Sequence, residues 1–160
     1  LVEYIFFKDS PNHSFNANDV INFTVRYSRV EARYNYRNPK EYHDLTELRA
    51  FNTDGFNFAG KNIHVHNNYV WNEDDCFTVK PLDKSNLRAQ CAENMLFENN
   101  IASGVGLTVG SVGASINHRC VRNITFRNTV MDKPFKGINV KSYGSSNYQE
   151  NETAIIEDSA

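Results

Sequence analysis

Four short segments carry one pattern, an asparagine followed by alternating apolar residues: Asn22-Phe23-Thr24-Val25, Asn62-Ile63-His64-Val65, Asn94-Met95-Leu96-Phe97 and Asn123-Ile124-Thr125-Phe126. Three of them continue to another asparagine at the same offset, Asn67, Asn99 and Asn128. A second pattern falls between the copies. It reads Asp54-Gly55-Phe56-Asn57-Phe58, then Asp75-Cys76-Phe77-Thr78-Val79, Val105-Gly106-Leu107-Thr108-Val109 and Lys136-Gly137-Ile138-Asn139-Val140. The equivalent positions Gly55, Cys76, Gly106 and Gly137 are 21, 30 and 31 residues apart. Period-2 alternation marks strands. Two strand types interleaved at this interval are the coils of a solenoid.

Register separates a parallel β-helix from a sandwich, because only stacked coils set like residue on like residue. The spacing predicts an all-β, right-handed parallel β-helix. Phe56, Phe77, Leu107 and Ile138 form one interior column, and Phe58, Val79, Val109 and Val140 a second. Asn57, Thr78, Thr108 and Asn139 face outward between them. Stacked strands lie about 4.7–4.9 Å apart, so such columns bury apolar surface continuously, at about 25 cal/mol per Å². Asparagine suits the corners, since it tolerates left-handed backbone and bonds its own main chain. The longer intervals put extra loop on one side, where a cleft wall belongs. Little helix is expected, and the segment from Pro39 to Leu48, without an apolar stripe, reads as a long turn or loop.

With 160 residues and a formal net charge of -2, the chain has room for one core and no cationic excess to neutralise phosphates. Nucleic acid is not an expected partner. No apolar run approaches the roughly 18–20 residues of a membrane span. Both ends read as cut, so residues 1–160 are expected to be one β-helix unit, the middle coils of a longer catalytic domain, truncated at both ends. Cys76, Cys91 and Cys120 fit free buried thiols as well as one bridge, Cys76 and Cys91 being the nearest pair, and their spacing suggests no metal. The sequons at Asn12, Asn22, Asn123 and Asn151 permit glycosylation.

Stacking has a chemical consequence. Asp54 and Asp75 take the same position on neighbouring coils, and Asp74 adjoins Asp75, so three carboxylates converge although 20 residues separate the first from the second. Like charges so close raise at least one pKa. One acid then can protonate a leaving oxygen while another activates water. Strict alternation from Phe56 points Asp54 inward, so the chain is taken to bend before Gly55 and Cys76. Taken singly, each Asp fits a turn cap better than a catalytic role.

At these residues the sequence resembles the polygalacturonase family of glycoside hydrolases. That family's landmarks are Asn-Thr-Asp, Gly-x-Asp-Asp, Gly-His-Gly and Arg-Ile-Lys. Here they correspond to Asn52-Thr53-Asp54, then Asn72-Glu73-Asp74-Asp75 with Glu73 for Gly, Gly104-Val105-Gly106 with Val105 for His, and Asn139-Val140-Lys141 with Asn139 for Arg. Ser10-Pro11 resembles a Ser-Pro step preceding them. The resemblance covers nearly the whole chain, in order.

The resemblance implies a secreted, monomeric hydrolase cleaving α-1,4-galacturonosyl or related linkages of a pectic polysaccharide with inversion. It needs no cofactor and no metal. Asp74 would be the general acid, and Asp54 with Asp75 would hold the attacking water, at an acid–base separation of roughly 6.5–9.5 Å. Lys141 would meet a substrate carboxylate as a point charge, with Asn139, Lys80 and Tyr143 as further substrate contacts. Trp71 is a second candidate stacking platform, with core or edge packing as its other reading, and His118 and Arg119 are weaker contacts. Losing the family His and Arg subtracts recognition of acidic sugar more than it subtracts the acid trio. A hydrolase of a neutral glycan, a carbohydrate-binding β-helix with impaired catalysis and a structural β-helix therefore stay open.

Overall fold

The computed structural model describes residues 1–33, 50–82, 88, 89, 91–113, 120–143 and 155–159. In chain order the strands are β1 (Val2–Glu3), β2 (Phe6–Lys8), β3 (Phe15–Arg26), β4 (Arg29–Ala32), β5 (Phe56–His66), β6 (Tyr69–Asn72), β7 (Phe77–Val79), β8 (Ala92–Glu98), β9 (Ile101–Ser103), β10 (Leu107–Gly113), β11 (Cys120–Arg127), β12 (Val130–Met131), β13 (Ile138–Tyr143) and β14 (Ile155–Ser159). Every pairing among them is parallel. The chain is a parallel β-helix of three faces, right-handed as parallel crossovers are. The segment Pro39 to Leu48 lies outside the described residues.

The first face stacks the start of β3 on the start of β5, then β7, β10 and β13. The second stacks β1, the rest of β3 and β5, β8, β11 and β14. The third is the order β2, β4, β6, β9, β12. On the first face Phe56, Phe77, Leu107 and Ile138 are in register, as are Phe58, Val79, Val109 and Val140. Phe56 and Phe77 stack with ring centroids 5.7 Å apart. Phe56, Phe58, Phe77 and Val79 are wholly buried, whereas Ile138 and Val140 on β13 are exposed. Phe15 extends the first column by one coil, with its ring 5.8 Å from that of Phe56.

Asparagine makes the corners. Asn22, Asn62, Asn94 and Asn123 all have φ between 51° and 56°, and each of the last three donates its amide to the asparagine one coil back. Asn67, Asn99 and Asn128 repeat the left-handed conformation at the next corner, where Tyr27 is their counterpart. A second ladder runs inside. The Oδ1 of Asn68 accepts from Ser28 N at 3.0 Å, and that of Asn100 accepts from Asn68 N at 2.9 Å. Buried main-chain groups that turn away from the sheets are satisfied in this way.

Cys91 and Cys120 form a disulfide, and Cys76 is the free thiol. The nearest pair in sequence is thus not the bonded one. Cys91 and Cys120 stand at the entries to β8 and β11, which stack directly. Cys76 instead enters β7, where its thiol donates to Asn72 Oδ1 and burial pushes it up to about 12.

Candidate active site

The bends fall at Gly55 and Cys76, one residue before β5 and β7 begin. There Gly55 N donates to Asp75 O, and Cys76 N to Gly106 O, so three coils are locked in register at the point where the carboxylates leave the chain. A side chain at 55 would meet Val70 and the Cys76 carbonyl, so glycine is needed where coil approaches coil. Asp54 and Asp75 turn to the outward column: Asp54 Oδ2 accepts from Asn57 Nδ2 at 3.0 Å, and Asp75 Oδ1 from Thr108 Oγ1 at 2.7 Å. One oxygen each of Asp54, Asp74 and Asp75 lies within 4.8 Å of the others.

Two ammonium groups answer the three carboxylates. Lys141 Nζ is 2.5 Å from Asp75 Oδ2, while Lys80 Nζ is 3.4 Å from Asp54 Oδ2 and 4.0 Å from Asp75 Oδ2. Asp54 and Asp75 are almost completely buried, at 3% and 1% exposure. Burial of such charges demands partners, and the lysines supply them.

Asp74 differs from its neighbours. It is half-buried and touches neither lysine within ion-pair distance. Its Oδ1 accepts from Asp75 N at 2.7 Å and its Oδ2 from Asn52 N at 2.9 Å. Burial, seconded by the charges of Asp54 and Asp75, raises its pKa above the ordinary 3.8, against the pull of those two main-chain donors. Glu73 steadies the same turn, accepting from Ala50 N at 2.8 Å. Asn72 Nδ2 bonds the carbonyls of Thr53 and Asp75. Val105 meets Asp74 through its backbone, N to O at 2.8 Å.

Of the other residues singled out by sequence, Asn139 continues the outward column beyond Thr108. Tyr143 ends β13 opposite Gly113. Trp71 lies on β6 beneath the Arg33 guanidinium, 4.8 Å from the ring centroid, so one ring face is occupied. His118 and Arg119 lie outside the described residues. Sequence reasoning missed His13, whose Nε2 is 3.8 Å from Asp54 Oδ1, and Asn16, which bonds both His13 and Asn57. The signal was the Phe15 register with Phe56, hidden by an interval of 41 residues where later coils use 21 to 31.

Comparison with known proteins bears on this arrangement. The family model described as "Glycosyl hydrolases family 28" matches residues 2–154. A curated "Polygalacturonase" of Phaedon cochleariae is 36% identical over 95 residues, 57% of this chain and 23% of that protein. A "Probable rhamnogalacturonase B" of Aspergillus niger is 35% identical over 101 residues, 61% of this chain and 16% of that protein. The chain thus spans less than a quarter of the length of either relative. No solved structure gives a significant match.

Proposed function

The chain belongs to glycosyl hydrolases family 28, and from that membership we propose that it serves a pectin-degrading glycosidase in which Asp54, Asp74 and Asp75 perform acid–base hydrolysis. One observation carries the reading: Asp74 holds its proton more firmly than an ordinary aspartate, beside two carboxylates that lysines partner. An acid whose protonated form is favoured, set beside further carboxylates, is what glycoside cleavage requires. Asp74 protonates the leaving glycosidic oxygen. Asp54 and Asp75 orient a water and take its proton as it attacks the anomeric carbon.

The substrate class follows from the relatives, one named a polygalacturonase and the other a rhamnogalacturonase. Both names point to pectic polymers, with α-1,4-galacturonosyl or related linkages as the scissile bonds. Lys141 and Lys80 give the cleft its cations, Asn139 continues the outward column along the coil axis, and Tyr143 ends the same strand. Since Lys141 is already bonded to Asp75, a substrate carboxylate must share that ammonium. A neutral sugar at this subsite avoids the competition. The disulfide between Cys91 and Cys120 favours an oxidising, extracytoplasmic location.

Family resemblance favours inversion, for which acid and base usually stand about 6.5–9.5 Å apart. The anomer of the first product, read by proton NMR, tests this, and a retained configuration would overturn it.

The test is product analysis with homogalacturonan, rhamnogalacturonan and neutral glycans, with Asp74→Asn as control. Chain cleavage that disappears in Asp74→Asn supports the reading. Oligosaccharide binding without cleavage, unchanged in Asp74→Asn, overturns it in favour of a carbohydrate-binding β-helix.

A further inference from the structure

His13 stands on the coil preceding Asp54, held there by main-chain bonds. Asn12 Oδ1 accepts from His13 N at 2.7 Å, Ser14 N donates to Asp54 O at 2.8 Å, and Phe15 N to Gly55 O at 3.0 Å. Its side chain is 34% exposed and lies against a carboxylate side chain that is 5% exposed. Of the described histidines, His64 and His66 belong to the second face, where they stack on one another and His64 meets Glu98. Among the described histidines only His13 adjoins the acid cluster.

The direction of every bond in this corner follows from one charge. An ionised Asp54 can only accept, so Asn57 must present its NH₂ to Asp54 Oδ2, at 3.0 Å. The same NH₂ reaches Asn16 Oδ1 at 2.9 Å. Asn16 therefore turns its own NH₂ to His13 Nδ1, at 3.3 Å, and Nδ1 must be the bare acceptor nitrogen. The imidazole proton is thereby left on Nε2, facing Asp54 Oδ1 at 3.8 Å. That distance is too long for a hydrogen bond but short for charge. Among the described residues the charged groups facing the ring are Asp54 itself, Lys80 on the far oxygen of Asp54, and beyond them Asp74, Asp75 and Lys141.

We propose that His13 is a positioning residue of this site: with Asn16 and Asn57 it fixes the orientation of Asp54, and its Nε2 presents imidazole to that carboxylate. Position 105, on the far side of the cluster, has a valine and supplies no such group. His13 thus makes the site's imidazole a contribution of the preceding coil. Its kinetic consequence rests on the hydrolytic reading above. The electrostatic coupling does not.

Two arms test the proposal in the full chain. In the first, the His13 imidazole resonance, assigned by its loss in His13→Gln, is titrated by NMR in the parent and in Asp54→Asn. Removing the anion 3.8 Å from Nε2 is expected to lower the midpoint, since an opposite charge so near favours the protonated ring. An equal midpoint overturns the proposal, whether or not the protein is an enzyme. In the second, His13→Ala and His13→Gln are compared on the pectic substrate that the parent cleaves. His13→Ala is expected to lower kcat roughly tenfold with little change in KM. In its pH profile the rising acid limb moves to higher pH, because the Nε2–H that favours the ionised base is gone. His13→Gln, which keeps a donor, is expected to restore part of the rate and part of the limb. A folded His13→Ala variant with the parental limb overturns the role. Coupling seen in the first arm with no cleavage by the parent leaves His13 beside Asp54 and rejects the hydrolytic reading instead.

Discussion

The division of labour among three neighbouring aspartates is decided by what each touches. Asp54 and Asp75 have lysines within 4 Å, whereas Asp74 has two main-chain donors and partial burial. Burial disfavours its charged form most, and the negative charge of Asp54 adds to the effect. A general acid works only while protonated, so activity is expected to fall as pH rises through the Asp74 pKa, at a pH above 3.8. Asp74→Asn should lower kcat by about 10²–10⁴-fold with the fold intact, measured by reducing-end release alongside circular dichroism. Asp54→Asn removes one of the raising charges. The Asp74 carboxyl, followed by carbon-13 NMR, should then titrate at lower pH than in the parent. An unmoved midpoint would dismiss the electrostatic pairing. The convergence of the three acids was legible in the sequence, since stacking Gly55 on Cys76 dictates it. The separate character of Asp74 was not, because it depends on where Lys80 and Lys141 come to rest and on the amides of Asn52 and Asp75.

At the scale of strands and corners, left-handed backbone recurs on every coil and asparagine meets it most often. Asn62 combines φ of 56° with two ladder bonds, donating to Asn22 and accepting from Asn94. Left-handed conformation costs an ordinary L-residue about 1–2 kcal/mol, and each lost exposed hydrogen bond adds at most about 1. Asn62→Ala is therefore expected to destabilise by about 1–4 kcal/mol in urea unfolding. Asn62→Gly removes the same bonds but not the backbone freedom, so it should destabilise less. Equal losses would mean that the ladder, not the conformation, is what asparagine provides. Gly110 is the matching case on the site's face. It has φ of 124° at the register shift between β10 and β13, and an added Cβ would meet the Lys141 carbonyl. Gly110→Ala should lower the melting temperature and, by displacing Lys141 from Asp75, the rate as well. The asparagine corners could be read from the repeat alone. The bulge at Gly110 could not, since nothing in Val109-Gly110-Ser111-Val112 announces a shift of register.

A solenoid holds together through contacts between neighbouring coils, so its cooperativity is only as good as its weakest interface. The acid cluster spans that problem: Asp54, Asp75 and Lys141 belong to separate coils, and the proposed hydrolysis needs all three coils closed at once. The apolar columns bind each coil to the next, and they were legible because in-register stacking forces like onto like. The disulfide was not, because pairing follows spatial adjacency of strand entries and Cys76 is nearer in sequence to Cys91 than Cys120 is. Cys91 and Cys120 tie the coil of β7 and β8 to that of β10 and β11, across a separation of 29 residues. Closing a loop of that length constrains the unfolded chain by about 3–4 kcal/mol. Since β7 and β10 carry Asp75's strand and its Thr108 partner, the staple also keeps the site's two central coils from opening separately. Cys91→Ala with Cys120→Ala is expected to lower unfolding stability by up to that amount. Hydrogen exchange should quicken on β10 and β11 before it does on β5. Reduction of the parent by dithiothreitol should reproduce both effects, and a doubly substituted chain as stable as the oxidised parent would show that the stacked columns alone hold these coils shut.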